Sequence, residues 1–274
     1  MYKKIFIYCF LLVMVIKSYS QQERAKISGK IYYDVSYLYD TINKSRLNEI
    51  TILYYSSDIS LYRSFEFMTG QATFKKWKES GRVGPMPGFG RGSKDLYYNY
   101  LKSKQMQRAL DFNDGGSSGN RTYVMPESIT STAWKILNET KKIDKYLCQK
   151  AIGICKGRNY TVWFCSDIPF PFGPWKLCGL PGLIMEAEDG NKQIVFKFNK
   201  IEFPAQIEEF IEPPTNFILT KEVDFERMRQ AYYDSPPANG VSAVIRNAQG
   251  QEVHPKRPVI NNPIDLISKL PTIF

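Results

Sequence analysis

The most constraining stretch of this chain is residues 178–190, Cys-Gly-Leu-Pro-Gly-Leu-Ile-Met-Glu-Ala-Glu-Asp-Gly. Proline at the second position of a turn fixes φ near about −65°, and glycine at the third tolerates positive φ. Leu180–Leu183 is therefore expected to form a type II turn, with Gly179, Pro181 and Gly182 as its structural residues. A strand should start at once, with Leu183, Met185 and Ala187 on one face. Asp189-Gly190 then signals a hairpin into Ile194, Phe196 and Phe198. A two-residue turn at Asp189-Gly190, or one position later, buries the same side chains, because both registers keep the same parity.

The same strand grammar recurs along the chain. Ile27, Ile31, Tyr33, Val35 and Tyr37 alternate over 26–39, and 49–55 and 59–67 flank a turn at Ser56-Ser57-Asp58. Further strands are expected at 96–100, 122–125 and 132–137, with 138–142 turning the chain. Connections this short require antiparallel pairing. Residues 146–154 and 159–165 flank Lys156-Gly157, and a two-residue turn there sets Cys148 opposite Cys165. Thr220 should cap a helix running to Tyr233 with Phe225, Met228 and Tyr232 on one face.

Between strands, 75–94 is rich in glycine and proline and carries Lys75, Lys76, Lys78, Arg82, Arg91 and Lys94 against Glu79 alone. It is expected to be a mobile basic loop, one that an anionic envelope surface could meet. The Pro-rich segment 168–174 cannot be a central strand and is expected to be a presented loop. Residues 235–274, punctuated by prolines, are expected to form an extended C-terminal arm.

Residues 1–20 combine Lys3 and Lys4, the apolar run Ile5–Ile16 and Ser18-Tyr19-Ser20, the pattern of a cleaved secretory signal. The expected mature chain, 21–234 plus the arm, is a single domain, periplasmic or extracellular, with no transmembrane segment. Removing Lys3, Lys4 and Lys17 lowers the formal charge from +10 to +7. In an exported protein Cys148, Cys155, Cys165 and Cys178 are disulfide candidates, Cys148–Cys165 by register and Cys165–Cys178 if that register slips. Their spacing does not suit zinc and the single histidine is His254, so no metal and no cofactor is expected. No nucleic-acid motif is present.

The run Trp134-Lys135-Ile136, Tyr146–Ala151, Tyr160–Phe164, Ile168-Pro169, Gly173-Pro174-Trp175 and Gly179–Ile184, with Asn262-Pro263-Ile264 near the end, resembles the GLPGLI family, exported proteins known chiefly from Bacteroidota. The resemblance is strong over about residues 120–203 and implies no established activity. Cys165 and Cys178 depart from the family pattern.

Trp134, Trp163 and Trp175 with Phe164, Phe170 and Phe172 form an aromatic block that either fills the core or lines a ligand site; Trp163, Trp175 and Leu180 are the ligand-binding candidates. Glu186, Glu188 and Asp189 offer the carboxylates of a glycosidase, but strand parity puts Glu186 and Glu188 on a solvated face. The expected fold is mainly β, a curved, half-barrel-like antiparallel sheet with one helix packed on it. The expected function is that of an exported, non-enzymatic envelope protein binding a protein partner or an apolar ligand. The alternative is an envelope hydrolase acting on glycan or peptide.

Overall fold

The structure, a computed structural model, describes residues 24–81, 93–112, 121–129 and 132–234, together with a strand pair at 245–246 and 252–253. The described chain is mainly β. In order it forms β1 (Ala25–Lys26), β2 (Gly29–Asp40), β3 (Ser45–Tyr55), β4 (Ile59–Ser64), α1 (Phe65–Glu79), β5 (Leu96–Tyr100), β6 (Gln105–Phe112), β7 (Arg121–Ser128), β8 (Lys135–Ile143), β9 (Tyr146–Cys155), β10 (Arg158–Cys165), β11 (Leu183–Asp189) and β12 (Ile194–Glu202). It continues with β13 (Phe210–Ile211), β14 (Ile218–Leu219), α2 (Glu222–Asp234), β15 (Ile245–Arg246) and β16 (Glu252–Val253).

Twelve strands make one sheet in the order β14-β7-β6-β5-β4-β3-β2-β12-β11-β10-β9-β8. Two meanders run outward from its middle, where β2 pairs with β12. Every pairing is antiparallel except β14 on β7, which makes the sheet mixed, and it is not closed into a barrel.

Alternation along each strand separates two faces. Leu53 and Tyr55 of β3, Tyr62 of β4, and Tyr33 and Val35 of β2 belong to the main core. Ile59 and Leu61 of β4 with Tyr98 of β5 belong to a second cluster, which Ile211 of β13 covers from the other side. Leu110, Tyr123 and Met125 form a third with Phe225 of α2, and Met228 packs against it. Tyr232 meets Phe112 edge-on, so Phe225, Met228 and Tyr232 do share the sheet-facing side.

There are two described helices, not one: α1 occupies the end of the expected strand 59–67 and the start of the expected loop 75–94. Its cause is local. The Ser64 hydroxyl accepts the Phe67 N–H as an N-cap, Glu66 sits in the first turn and Lys76 and Lys78 in the last, each favourable to the helix dipole. Residues 82–92 of that loop lie outside the described residues. The expected turn at 138–142 is interior to β8, and the chain reverses instead between β8 and β9, where Asp144 takes φ +51°. At α2 the first amides donate to the Lys221 carbonyl, so Lys221 occupies the cap position; the Thr220 N–H closes onto Val124. In the arm, β15 and β16 form a small antiparallel pair, and the rest of 235–274, His254 included, lies outside the described residues.

Candidate functional site

The Lys156-Gly157 turn has both residues at positive φ, the geometry that suits a two-residue hairpin. The β9–β10 register runs from Cys155↔Arg158 to Gln149↔Phe164, so the next pair outward is Cys148 and Cys165. The expected Cys148–Cys165 disulfide is nevertheless not formed. Cys148, Cys155, Cys165 and Cys178 are all buried free thiols, and the Cys148 thiol donates to the Tyr146 carbonyl. Burial, then the neighbouring Cys165, pushes the Cys148 thiol up to about 12, and burial pushes Cys155 up to about 11. At neutral pH neither is a nucleophile.

Between β10 and β11, residues 166–182 fold back onto the main core. The expected presented loop is instead a plug: Ile168, Phe172, Leu177 and Leu180 are buried. Its own backbone satisfies it. Gly179 N–H donates to Pro171 O, Leu183 N–H to Ile168 O and Ile184 N–H to Phe172 O, while the Trp134 indole donates to Cys178 O at 2.8 Å. The turn chemistry differs from expectation. Gly179 holds positive φ at +94°, and Gly182 does not. Gly182 is required by close approach, because a Cβ there would lie 2.1 Å from the Cys165 carbonyl oxygen. Past the plug, β11 pairs with β12 through Ala187↔Phe196 and Glu188↔Val195, a longer turn than expected but of the same parity. The Asp189 carboxylate explains the length. It accepts the Gln193 and Ile194 amides and is held by Arg158 at 3.0 Å, both charges almost fully buried.

The three ligand-binding candidates belong to one core cluster, Trp175 and Leu180 inside it and Trp163 packed against it. Trp175 and Leu180 are 4% and 2% exposed within the core. Trp163, on β10, is only partly buried and lies under Lys141 at 4.5 Å and Lys150 at 5.9 Å. Of the glycosidase carboxylates, Glu186 is bonded by Lys141 at 2.5 Å, while Glu188 lies 3.9 Å from the exposed Lys192.

Sequence reasoning missed two charged groups of the sheet. On β6, Arg108 bonds Asp95 at 2.9 Å, pairs with Glu222 and lies 3.6 Å from Glu226 of α2. Burial alone would favour the neutral guanidine, but Asp95, Tyr97 and Glu222 outweigh it and hold it charged. Burial raises the Glu222 carboxyl above the usual carboxylate range against the pull of Arg108. Nearby, Glu127 takes Lys156 and Lys176, each at 2.5 Å.

The other missed group lies on the opposite face. A cleft of about 370 Å³ is walled by Tyr54, Leu61 and Arg63 of β3 and β4 and by Glu208, Glu209, Phe210 and Glu212 of the covering segment. Glu209 is committed to Lys30 at 2.5 Å, and Glu208 to exposed Lys26 at 3.3 Å. Among the described residues, Arg63 has no hydrogen bond or ion pair: its Nε is buried without an acceptor, and burial lowers its affinity for the proton. The signal that could have found Arg63 and Arg108 is strand phase. Arg63 is in step with Ile59 and Leu61, and Arg108 with Met106 and Leu110, so each is a charge on the apolar side of its strand.

These features define an open, mainly antiparallel β fold with a plugged core and a lateral cleft. A family model described as a protein of unknown function (Porph_ging) matches residues 154–186, the β10 hairpin through the plug to β11. No curated protein matches the chain. Among solved structures, PNGF-II in a C2 crystal form is similar at a TM-score of 0.50 and 16% identity, over 76% of this chain and 34% of that one. PNGF-II in a P21 form gives a TM-score of 0.49 at 15% identity, with the same coverage. The likeness is one of fold, and the chain spans about a third of the length of the structures it matches. No helix among the described residues is long and apolar enough to cross a membrane.

Proposed function

We propose that this is an exported, non-enzymatic protein of the cell envelope that holds a ligand or a segment of a protein partner in the cleft at Arg63. One observation carries the reading: Arg63 is a partly buried cation with no hydrogen-bond or ion-pair partner at contact distance among the described residues, Asp111 acting on it only through longer-range attraction. Leaving a buried charge unpaired is costly, and a bound acceptor is the ordinary remedy. The carboxylates elsewhere support it by being occupied. Glu186, Glu127, Glu222 and Glu226 each face a lysine or arginine, which suits an architectural role better than acid–base chemistry. Export rests on the leader at residues 1–20.

In this reading the sheet is bent into a half-barrel around the plug. In a flat sheet β7 and β8 would lie ten strand spacings apart, roughly 48 Å. The seven-residue step from Ser128 to Lys135 reaches at most about 24 Å. The bond from Glu127 of β7 to Lys156 of the β9–β10 turn also supports the bend.

A hydrolase is the second reading, favoured by one observation, the raised carboxyl of Glu222 beside Asp95 and Arg108. The test is to incubate the processed protein with a panel of glycans and peptides while following bound species by mass spectrometry. Retained ligand without turnover supports the binding reading. Turnover that Glu222→Gln abolishes establishes the hydrolase.

A further inference from the structure

Arg63 and the exposed Glu212 stand on opposite walls of one cleft, and among the described residues neither side chain has a partner within ion-pair distance, Asp111 reaching Arg63 only from farther off. Ile59, Leu61 and Arg63 point to the same face of β4, so the guanidinium emerges from an apolar floor. The facing wall is fixed from behind. The Tyr98 hydroxyl donates to the Glu212 carbonyl at 3.2 Å, Lys30 holds Glu209, and the Arg24 guanidinium lies 3.8 Å from the centre of the Phe210 ring. The Tyr54 hydroxyl is turned to Met68, leaving its ring as wall.

The charges select the ligand. A simple anion would satisfy Arg63 but meet Glu212, and a simple cation would satisfy Glu212 but leave Arg63 bare. A ligand carrying both signs, with an apolar body between Tyr54, Leu61 and Phe210, satisfies every wall. Resting on the binding reading above, we infer that the cleft takes the free C-terminal end of a peptide with a basic residue beside it. The carboxylate meets the planar fork of Arg63, and the lysine or arginine meets Glu212. A volume of about 370 Å³ suits one or two residues of such a peptide.

The test is calorimetric titration of the processed protein with three probes: N-acetyl-Lys-Leu, its C-terminal amide, and N-acetyl-norleucyl-Leu. The free acid should bind about tenfold or more tightly than the amide, and several-fold more tightly than the norleucine analogue. Arg63→Gln should erase the acid–amide difference while keeping the lysine preference, and Glu212→Gln should do the reverse. Because Arg63→Gln removes an unpaired charge, it should melt no lower than wild type, which separates lost recognition from lost folding. Equal binding of acid and amide, an acid preference that survives Arg63→Gln, or no binding of any probe at millimolar concentration overturns the peptide assignment. In that last case, envelope extract that still binds, with the binding lost in Arg63→Gln, leaves the binding reading standing without the peptide. Extract that fails as well removes both.

Discussion

Gly182 lies so close to Cys165 that a Cβ on it would fall 2.1 Å from the carbonyl oxygen and 2.6 Å from the carbonyl carbon. Both are backbone atoms at the end of β10, a strand paired on both sides, and neither can step aside as a side-chain tip could. Gly182→Ala should cost about 2 kcal/mol or more, seen as a melting point several degrees lower. Gly179→Ala tests a different physics. Its Cβ would have room, with Trp134 Nε1 nearest at 3.9 Å, so the cost is the positive φ alone, about 1–2 kcal/mol. Thermal melts of both variants check the pair.

Leu180 belongs to the core. Leu180→Ala should destabilise the protein by about 2–5 kcal/mol in denaturant unfolding, as truncation of a buried leucine does. Ligand affinity of the folded fraction should not change. An unchanged midpoint would mean that this side chain is on the surface.

Arg158 and Asp189 are a buried pair with side chains 4% and 3% exposed. Arg158→Met strands the Asp189 charge and should cost about 3–5 kcal/mol. Adding Asp189→Asn should recover part of that loss, because the amide oxygen can still accept the Gln193 and Ile194 N–H groups. A double-mutant cycle by urea unfolding measures the coupling.

Glu49 faces inward from β3, accepting the Ser93 amide at 3.1 Å, and burial raises its carboxyl above the usual carboxylate range. A carboxyl raised in the folded state binds its proton more tightly there than in the unfolded chain. Its favourable contribution is therefore full below the unfolded pKa, about 4.3, and is lost as pH rises through the folded value. Glu49→Gln should raise the melting temperature by a few degrees at about pH 8, and the gain should vanish near about pH 4. Melts across that range check the sign.

Strand identity was legible in the sequence wherever alternation was strong, as in Ile31-Tyr33-Val35, and the Lys156-Gly157 register was correct to the residue. α1 was not, because its hydrophobic residues lack a helical stripe and only Phe67 is fully buried; the capping Ser64 outweighed the strand-like lead-in. Gly182 is necessary for its lack of a Cβ and not for its torsion. A turn motif reports local torsions, whereas the close approach to Cys165 exists only after β10 and β11 have come together. The cleft was illegible because its walls are separated in sequence by the whole meander. Its one local trace, Arg63 in phase with two apolar residues, reads as a surface charge unless strand parity is followed.

The direct test of the binding account is chemical-shift mapping on isotope-labelled processed protein, titrated with the small-molecule and peptide fraction of the cell envelope. The expected result is saturable perturbation centred on Tyr54, Leu61, Arg63 and Phe210, lost in Arg63→Gln, with no new product signals over time. Perturbation centred instead on Asp95, Arg108 and Glu222, with product accumulating, would contradict it.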